Sequence, residues 1–534
     1  MSEQPNILLL FVDQLRFDSI CAGGNPHMQT PTMDRLVREG TLFTNAYTPN
    51  PVCVPARHNL LTGLTAKTHG FFDNGGKPIP AQIPTLPRLL ADSGYETRAI
   101  GKMHFHPPRR HHGFDKMELM EELPKTREED EYAMYLKDQG YGNIQNIQGV
   151  RNLLYMTPQH SLVPEEHHGS NWVGDRSVEF INTNKGRRPF FLWSSWIAPH
   201  PPFNNPETYK DLYRNSEIPE PIKSKTPLTP KSIYQSYHMK FPNDDYITEM
   251  RRYYYSAVTL VDKNMGKIID SLEATGQLDN TMIICAADHG ELLGDYGLGQ
   301  KMLPYDRCAK IPFIIRYPKC FKGGTTVSDF VDLNDILPTF LDLSNIEYPG
   351  DYELPGESLL KSGDLACKDR TVQYMENSKG LQRWISLRNK NYKYNYYYSE
   401  GYEELFDLKN DPDETVNLLY NNSDVAIVKT RDALKAKLLQ YEQKWGPEDH
   451  IVDGDFIKYG KYDWDPPEIN PQFHVFPNNI TDDTERKNMN GVGKETIEAV
   501  KGVKTVKLSE MKLEAWKQSV LKQGIELDID LTKL

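Results

Sequence analysis

The chain begins with an uninterrupted apolar run from Ile7 to Val12, which Asp13 follows directly. A strand with one solvated face alternates apolar and polar residues, whereas an unbroken run is typical of a strand buried on both faces. Two further runs of this kind occupy residues 189–196 and 281–287. The pattern therefore predicts a mostly parallel sheet that is covered on both faces.

Helical patterns lie between these runs. Residues 30–40 begin with Thr30-Pro31 and end at Gly40, and residues 85–94 show a similar arrangement. A capping Thr, a Pro in the first turn and a terminal Gly are common signals of helix boundaries. Strands that alternate with amphipathic helices predict an α/β domain, with a large mixed, mostly parallel central sheet flanked by helices.

The pattern changes after Cys367. Short strand patterns rich in tyrosine follow one another closely between residues 372 and 407, and a helix with apolar residues three and four apart covers 424–445. Clustered strands followed by a helix predict a smaller C-terminal α+β domain built on an antiparallel sheet. We therefore expect a large domain at 1–367, this smaller domain at 368–445, and an extension packed on the surface at 446–534.

Charge and composition exclude several classes of function. The 534 residues include 62 Lys and Arg against 74 Asp and Glu, for a formal net charge of −12, which argues against nucleic-acid binding. No apolar run approaches the ~18 residues of a membrane helix, and no export signal is visible before Ile7. Six scattered cysteines without CxxC spacing fit a reducing compartment, so we expect a cytoplasmic protein.

Two of the apolar runs end in the same way. Asp13-Gln14 follows the first run, and Asp288-His289 follows the run at 281–287. Ligands of parallel α/β sheets collect at the carboxyl ends of the strands. Two carboxylates at that edge, each beside a second oxygen or nitrogen donor, suit a divalent cation. The alternative is that each Asp only caps the helix that follows it.

A cysteine stands at the start of another predicted helix, in the string Cys53-Val54-Pro55-Ala56-Arg57. Pro55 suits a first helical turn, which places Cys53 where free backbone N–H groups favour an anion. Arg57 lies one turn further on and can return its planar set of donors to the same point. A single Cys is more often a small buried hydrophobe, but this string is more specific than a single Cys.

The segment from Cys53 to Gly63 resembles the signature of the type I sulfatases, which belong to the alkaline phosphatase superfamily. Other segments resemble that family in the same order along the chain: Gly101-Lys102-Met103-His104, the stretch from Asp288 to Lys301, and Leu405 to Pro412. The resemblance covers roughly residues 5–420. It implies an alkaline phosphatase-like fold for the large domain, which would be catalytic, and hydrolysis of sulfate esters.

The resemblance also implies roles for single residues. In that family the signature cysteine is oxidised to Cα-formylglycine, so Cys53 would carry this modification, made by a maturation enzyme. The residues implied to hold a cation are Asp13, Gln14, modified Cys53, Asp288 and His289. The residues implied to surround the sulfate are Arg57, Lys102, His104, His200 and Lys301. In the implied mechanism the hydrated aldehyde attacks sulfur, His104 is the base that later expels sulfate, and His200 and Lys301 serve the leaving oxygen.

The residue pattern agrees with part of this assignment. In an extended segment Lys102 and His104 point to one face, while Met103 and Phe105 point to the other. His200 follows a predicted core strand in a His-Pro-Pro turn, a place from which it can reach the strand ends.

Two positions depart from the family pattern. Gln14 stands where many members carry Asp, and His289 stands where many carry Asn; this combination is similar to choline sulfatases and phosphonate monoester hydrolases. Imidazole suits manganese, whereas oxygen ligands suit calcium. We expect one divalent cation, with calcium favoured over manganese.

The expected function is a sulfuric ester hydrolase that acts on a small sulfated substrate, without a nucleic-acid or membrane partner and with homo-oligomer formation left open. Aryl, choline and sugar sulfates all fit this expectation. Hydrolysis of phosphonate monoesters or phosphodiesters at the same site is the alternative, because these substrates are also tetrahedral anions. A third hypothesis is a non-catalytic protein that binds sulfated ligands, which would leave Cys53 unmodified.

Overall fold

A computed structural model describes residues 4–151, 154–230, 241, 243–360, 370–461, 495, 498–501 and 503 of the chain. Cys367, the expected boundary beside it and most of the extension 446–534 lie outside these residues. The division of the chain into three parts therefore stays a prediction.

The described strands are β1 (Asn6–Val12), β2 (Thr41–Tyr47), β3 (Glu96–Gly101), β4 (Lys116–Leu119), β5 (Pro158–His160), β6 (Phe190–Trp196), β7 (Phe203–Asn205), β8 (Thr281–Ala287), β9 (Phe313–Arg316), β10 (Thr325–Asp332), β11 (Gln373–Asn377), β12 (Trp384–Arg388), β13 (Tyr392–Tyr397), β14 (Tyr402–Asp407), β15 (Ile451–Val452) and β16 (Asp455–Phe456). The described α-helices are α1 (Pro31–Glu39), α2 (Cys53–Thr62), α3 (Ala66–His69), α4 (Leu86–Asp92), α5 (Glu131–Leu136), α6 (Gly169–Asn184), α7 (Asp244–Ala274), α8 (Asp306–Ala309), α9 (Ile336–Leu343) and α10 (Val425–Trp445). Within this part of the chain, no helix has both the length and the apolar character that a membrane crossing needs.

The central sheet has eight strands in the order β10-β2-β9-β8-β1-β6-β3-β4. Neighbouring strands are parallel, except that β9 runs antiparallel to both β2 and β8. This arrangement confirms the mixed, mostly parallel sheet that the sequence predicts. β1 lies in the interior of the sheet and all seven of its residues are buried, as expected for an unbroken apolar run.

The strand register brings several chain segments to one edge of the sheet. Val12 of β1 pairs with Ala287 of β8 and with Trp196 of β6, so the residues after these strands leave the sheet together. Gly101 of β3 pairs with Ser195 of β6. A side chain at Gly101 would begin 1.9 Å from the Ser195 carbonyl oxygen, and φ is +99° there. Only glycine therefore allows β3 to approach β6 this closely.

Helices cover the sheet and fix the position of α2. Helix α6 contacts β6 and β3, and the long helix α7 packs against α6. Helix α2 is buried over its whole length and packs against α9 and the turn before it. Because every residue of α2 is buried, Cys53 at its first position is held by the protein interior on all sides.

A smaller antiparallel sheet of strands β11-β12-β13-β14 and the helix α10 form the C-terminal part of the described chain. Leu434 and Leu438 of α10 share an apolar cluster with Ile385 and Leu387 of β12. These features confirm the predicted antiparallel sheet with one helix. The indole N–H of Trp384 donates to the Met302 carbonyl at 2.7 Å, so this sheet supports the loop that carries Lys301.

Candidate active site

Two buried carboxylates meet where β1 and β8 end. The backbone N–H of Gln14 donates to Oδ1 of Asp288 at 2.9 Å, and the N–H of Asp13 donates to the Trp196 carbonyl at 3.1 Å. Both Asp side chains are fully buried. The common edge of the parallel strands thus brings together the two acids that the sequence places after separate apolar runs.

Four donor atoms form a compact cluster at this edge. One oxygen each from Asp13 and Asp288, a ring nitrogen of His289 and Sγ of Cys53 all lie within 4.8 Å of one another. Nδ1 of His289 lies 2.9 Å from the Gly290 carbonyl, which assigns its proton to Nδ1 and leaves the Nε2 lone pair 3.2 Å from Cys53 Sγ. Burial lowers the pKa of His289, which favours the neutral form that binds metals.

Gln14 has a left-handed backbone with φ of 62°, a conformation that is uncommon for a residue other than glycine. Its side-chain amide donates to Glu291, which turns Oε1 towards Lys301. The Lys301 ammonium donates to that oxygen at 2.6 Å. Glu291 therefore fixes which end of the Gln14 amide faces the site.

Cys53 begins α2, and the N–H of the next residue, Val54, donates to Oδ1 of Asn74 at 3.1 Å. Burial and the Asp13 carboxylate raise the pKa of the Cys53 thiol to about 12. Reactive cysteines have a lowered pKa because the thiolate is the nucleophile. An unmodified Cys53 is therefore a poor nucleophile in this environment.

Arg57 is held by hydrogen bonds on two sides. Nε donates to Oδ2 of Asp288 at 3.1 Å, while one terminal nitrogen donates to the Lys102 carbonyl at 2.7 Å and to Oγ of Ser195 at 3.0 Å. The guanidinium also lies over the ring of Phe11, 5.2 Å from its centroid. The other terminal nitrogen is buried and forms an ion pair with Oδ2 of Asp288 at 3.1 Å, without hydrogen-bond geometry to any described residue. The guanidinium is therefore a fixed positive group beside the carboxylates.

Lys102 follows β3 and points into the cluster, where its ammonium contacts the carboxylates of Asp13 and Glu122. Burial opposes its charge, but Asp13 and the neighbouring anions hold the pKa of Lys102 above its ordinary value. The amine is therefore a permanent cation at neutral pH.

His104 lies beyond the end of β3 at Gly101, and its backbone is left-handed with φ of 55°. The expectation of an extended segment is therefore wrong at His104. Glu121 accepts the N–H groups of both Met103 and His104, at 3.0 and 2.9 Å. Burial and the Lys102 charge lower the pKa of His104 to about 3. Its Nδ1 is buried without a hydrogen bond to the described residues, which leaves a neutral ring free to take a proton.

His200 and Lys301 form a pair on the other side of the cluster. Nδ1 of His200 lies 2.6 Å from the Pro201 carbonyl, so the proton is assigned to Nδ1, and Nε2 accepts from the Lys301 ammonium at 2.9 Å. Burial lowers the pKa of His200 well below its ordinary value. The rings of Tyr155 and His200 are in a T-shaped arrangement, with centroids 6.2 Å apart.

The structure thus brings together nine of the residues singled out in the sequence, through direct contacts, and His104 lies two residues after Lys102, which is one of the nine. Sequence reasoning missed the residues that hold them, above all Asn74, Glu121, Glu122, Arg151, Ser195 and Glu291. Glu121 and Glu122 follow β4, so the same strand-end rule could have found them. The sequence of β4, Lys-Met-Glu-Leu, has too few apolar residues to predict a strand.

The donor set fits a divalent cation. Asp13 and Asp288 place two buried carboxylates close together, and a neutral imidazole completes a set of ligands that divalent metals accept. Oxygen donors suit calcium, and the imidazole nitrogen suits manganese or zinc.

Comparisons with known proteins find relatives over most of the chain. A family model described as Sulfatase matches residues 5–346, and one described as N-sulphoglucosamine sulphohydrolase, C-terminal, matches residues 294–444. The chain is 29% identical over 477 residues to an arylsulfatase of Clostridium perfringens, which covers 86% of this chain and 98% of that protein. It is 28% identical over 438 residues to a choline-sulfatase of Rhizobium meliloti, covering 78% of this chain and 83% of that protein.

Solved structures share the fold. The phosphonate monoester hydrolase of Agrobacterium radiobacter aligns with a TM-score of 0.71 at 22% identity, covering 82% of this chain and 96% of that one. The structure of BT4656 in complex with D-glucosamine-2-N,6-O-disulfate aligns with a TM-score of 0.69 at 23% identity, covering 84% of this chain and 99% of that one.

Proposed function

The chain belongs to the sulfatase family, whose members hydrolyse sulfate esters, and we propose that it does so with a formylglycine made from Cys53. The observation that carries this proposal is the placement of Cys53. Its Sγ lies 3.2 Å from Nε2 of His289 and 3.8 Å from Oδ1 of Asp13, at the first residue of a buried helix. A buried thiol with a raised pKa is inert, whereas a hydrated aldehyde at the same place has hydroxyl groups to attack sulfur.

The residues that would hold the cation are Asp13, Gln14, Asp288 and His289, together with modified residue 53. When bound, the cation supplies positive charge and Lewis-acid activation at the reacting oxygen. Oxygen atoms from Asp13, Gln14 and Asp288 outnumber the single nitrogen of His289, so we favour calcium over manganese.

The first half of the reaction transfers sulfate to the protein. One hydroxyl of the hydrated aldehyde gives its proton to the Asp13 carboxylate, whose Oδ1 faces the side chain of residue 53, and attacks sulfur, while the bond between sulfur and the alcohol oxygen breaks. Arg57 and Lys102 bind the sulfate oxygens and the attacking oxygen through fixed, permanently charged donors. The leaving oxygen takes a proton from the pair formed by Lys301 and His200, in which the Lys301 ammonium already donates to the imidazole.

The second half releases sulfate. His104 takes the proton of the remaining hydroxyl on residue 53, the carbonyl forms again, and the bond between that carbon and the sulfate oxygen breaks. Water then hydrates the aldehyde. The His104 ring is neutral, and its buried Nδ1 has no hydrogen-bond partner among the described residues, so this nitrogen is available to take the proton. An ester formed on a serine would have no second hydroxyl and would not be released by this route.

Hydrolysis of phosphonate monoesters or phosphodiesters is the second candidate. One support is the combination of Gln14 and His289, which resembles the combination found in phosphonate monoester hydrolases. The other is a 28% identical relative from Trinickia caryophylli, described as a multifunctional alkaline phosphatase superfamily protein. A maturation enzyme acting on Cys53 is a required partner in either case. The cytoplasmic location stays a prediction from sequence, and the sequence makes no prediction of the oligomeric state.

Parallel assays test the proposal. The chain is produced with a formylglycine-generating enzyme, and kcat/KM is measured for 4-nitrophenyl sulfate, a phosphonate monoester and bis(4-nitrophenyl) phosphate. We expect the highest kcat/KM for the sulfate. Absence of sulfate hydrolysis by a preparation that carries the aldehyde would overturn the proposal, and a higher kcat/KM for the phosphonate would favour the second candidate.

A further inference from the structure

The carboxylate of Glu122 lies beside Lys102 and His200, in the pocket around residue 53 where the sulfate is proposed to bind, and the proposed mechanism does not use it. One of its oxygens, Sγ of Cys53, an oxygen of Asp13 and a ring nitrogen of His200 lie within 4.8 Å of one another. Only 8% of Glu122 is exposed to solvent. A sulfate held near residue 53 therefore lies within a few ångströms of this negative charge.

Three basic side chains surround Glu122. Oε1 contacts the Lys102 ammonium and lies 3.4 Å from Nε2 of His200, while Oε2 accepts from a terminal nitrogen of Arg151 at 3.1 Å. Arg151 in turn lies over the Tyr155 ring, 4.9 Å from its centroid. The carboxylate is thus held from both of its oxygens, and its position is fixed.

The carboxylate is ionised. Burial alone would raise its pKa, but the Lys102 ammonium and the Arg151 guanidinium hold the pKa of Glu122 well below its ordinary value. A fixed, ionised carboxylate beside a binding place for anions repels any anion that enters.

Asp13, Glu122 and His200 could suggest a second cation site. Two ammonium groups already occupy the positions that such a cation would need, because Lys102 lies between Asp13 and Glu122 and Lys301 donates to Nε2 of His200. Glu122 therefore changes the charge of the pocket instead of binding a metal.

We propose that Glu122 determines the charge selectivity of the pocket, favouring esters with one negative charge over esters with two. Sulfate monoesters carry a single negative charge, whereas a phosphate monoester carries nearly two above its second pKa of about 6. Each added charge on the substrate adds one repulsive interaction with Glu122, and such interactions are strong where water is excluded. The inference rests on the proposed function, since it assumes that the tetrahedral anion binds beside residue 53.

Substitutions of Glu122 and Arg151 should change the preference between phosphate and sulfate esters in opposite directions. Glu122→Gln removes the negative charge and keeps the shape, so the ratio of kcat/KM for 4-nitrophenyl phosphate to that for 4-nitrophenyl sulfate should rise at least tenfold at pH 8. Arg151→Gln removes a positive charge from the same pocket and should lower that ratio. Glu122→Asp keeps the charge and should return most of the wild-type preference.

All preparations are matched for aldehyde content at residue 53 by mass spectrometry. A rise of less than tenfold in the phosphate-to-sulfate ratio for Glu122→Gln overturns the proposal. A rise of this ratio in both Glu122→Gln and Arg151→Gln also overturns it, because a less tightly packed pocket would then explain the change. If the wild type carries the aldehyde but does not hydrolyse the sulfate ester, the proposed function itself is wrong.

A measurement on the wild type covers the case in which the variants do not fold. Inorganic phosphate changes from one to nearly two negative charges between pH 5.5 and 8, whereas inorganic sulfate keeps the same charge. The inhibition constant of phosphate, divided by that of sulfate at each pH, should rise over this range. A constant or falling quotient contradicts charge selection.

Discussion

The backbone N–H of Gln14 donates to Oδ1 of Asp288 at 2.9 Å, so the ends of β1 and β8 are joined by a side chain that we propose as a cation ligand. The other oxygen of Asp288 accepts from Arg57 Nε at 3.1 Å. One carboxylate thus links both strand ends to the helix that carries Cys53.

Asp288→Asn should separate these roles. The amide keeps an oxygen for the Gln14 N–H but loses the charge. We therefore expect a folded protein that binds little metal and whose kcat/KM is reduced by roughly 100-fold or more. Metal content and kcat/KM are measured together. Asp279→Asn, at an exposed carboxylate paired with Arg316, is the control and should change neither. Full metal content in Asp288→Asn would exclude Asp288 as a ligand.

Lys102→Ala should lower kcat/KM for a sulfate ester by roughly 100-fold or more, because a fixed cation beside the sulfate is lost. The thermal midpoint should also fall, since Asp13 and Glu122 lose a buried partner, but the chain should remain folded. Circular dichroism and steady-state kinetics measure the two effects. Lys116→Ala, at an exposed lysine of β4, is the matched control. An unchanged kcat/KM would mean that Lys102 does not touch the substrate.

Removal of the cation should lower both activity and stability. A cation bound only by the folded chain stabilises it by mass action, so a chelator should lower the thermal midpoint, and added cation should restore it. We expect calcium to restore the midpoint and the sulfatase activity more fully than manganese at equal concentration. The opposite order would favour manganese, and no response to any divalent cation would contradict the metal site.

Asp262 of α7 offers a test of stability against pH away from the active site. Its carboxylate accepts the N–H groups of Thr32 and Met33, at 3.0 and 2.8 Å, and burial raises its pKa to about 6. Because the folded chain then holds a proton that the unfolded chain releases near pH 4, this group favours folding most at low pH. That contribution is lost as the pH rises through 6.

The free energy of unfolding should therefore fall in the wild type relative to Asp262→Asn between pH 4 and 7, by at most about 3 kcal/mol. Denaturant titrations at several pH values measure it. Asp270→Asn, at an exposed carboxylate of the same helix, is the control. If the difference in the free energy of unfolding between the wild type and Asp262→Asn stays constant over this range, the pKa of Asp262 is the same in the folded and the unfolded chain.

The fold and the meeting of Asp13 with Asp288 were predictable because they depend on local patterns. An unbroken apolar run predicts a buried parallel strand, and parallel strands end at one edge of the sheet. The two acids therefore meet although they are far apart in the sequence. Placing His200 and Lys301 in the site required the family resemblance in addition, since a His-Pro-Pro turn and a single lysine have no periodicity. The roles of all these residues stay predictions.

The rest depends on long-range structure. Glu122 enters the pocket only because the short strand β4 pairs beside β3, and Arg151 reaches it from a loop that carries no apolar pattern. His104 has a positive φ, and Glu121 accepts its N–H and that of Met103; no local signal in the sequence predicts that contact. Such contacts become visible only when the strands are assembled.

Serine at position 53 should leave the fold intact but stop multiple turnover. Cys53→Ser provides one hydroxyl, so a single attack on sulfur would leave a sulfate ester that cannot collapse to an aldehyde. Intact-mass measurement after incubation with 4-nitrophenyl sulfate should detect at most one trapped sulfate per chain. Sustained turnover by this variant would contradict the proposed release step.

The state of residue 53 in active enzyme tests the mechanism most directly. Cleavage after Arg38 and Arg57 yields a peptide from Glu39 to Arg57 in which Cys53 is the one cysteine, so its mass reports the modification without ambiguity. In protein produced with a formylglycine-generating enzyme, the peptide should have the mass of the aldehyde and should react with a hydrazide, in proportion to kcat across preparations. Fully active enzyme whose peptide carries only the unmodified thiol would contradict the account.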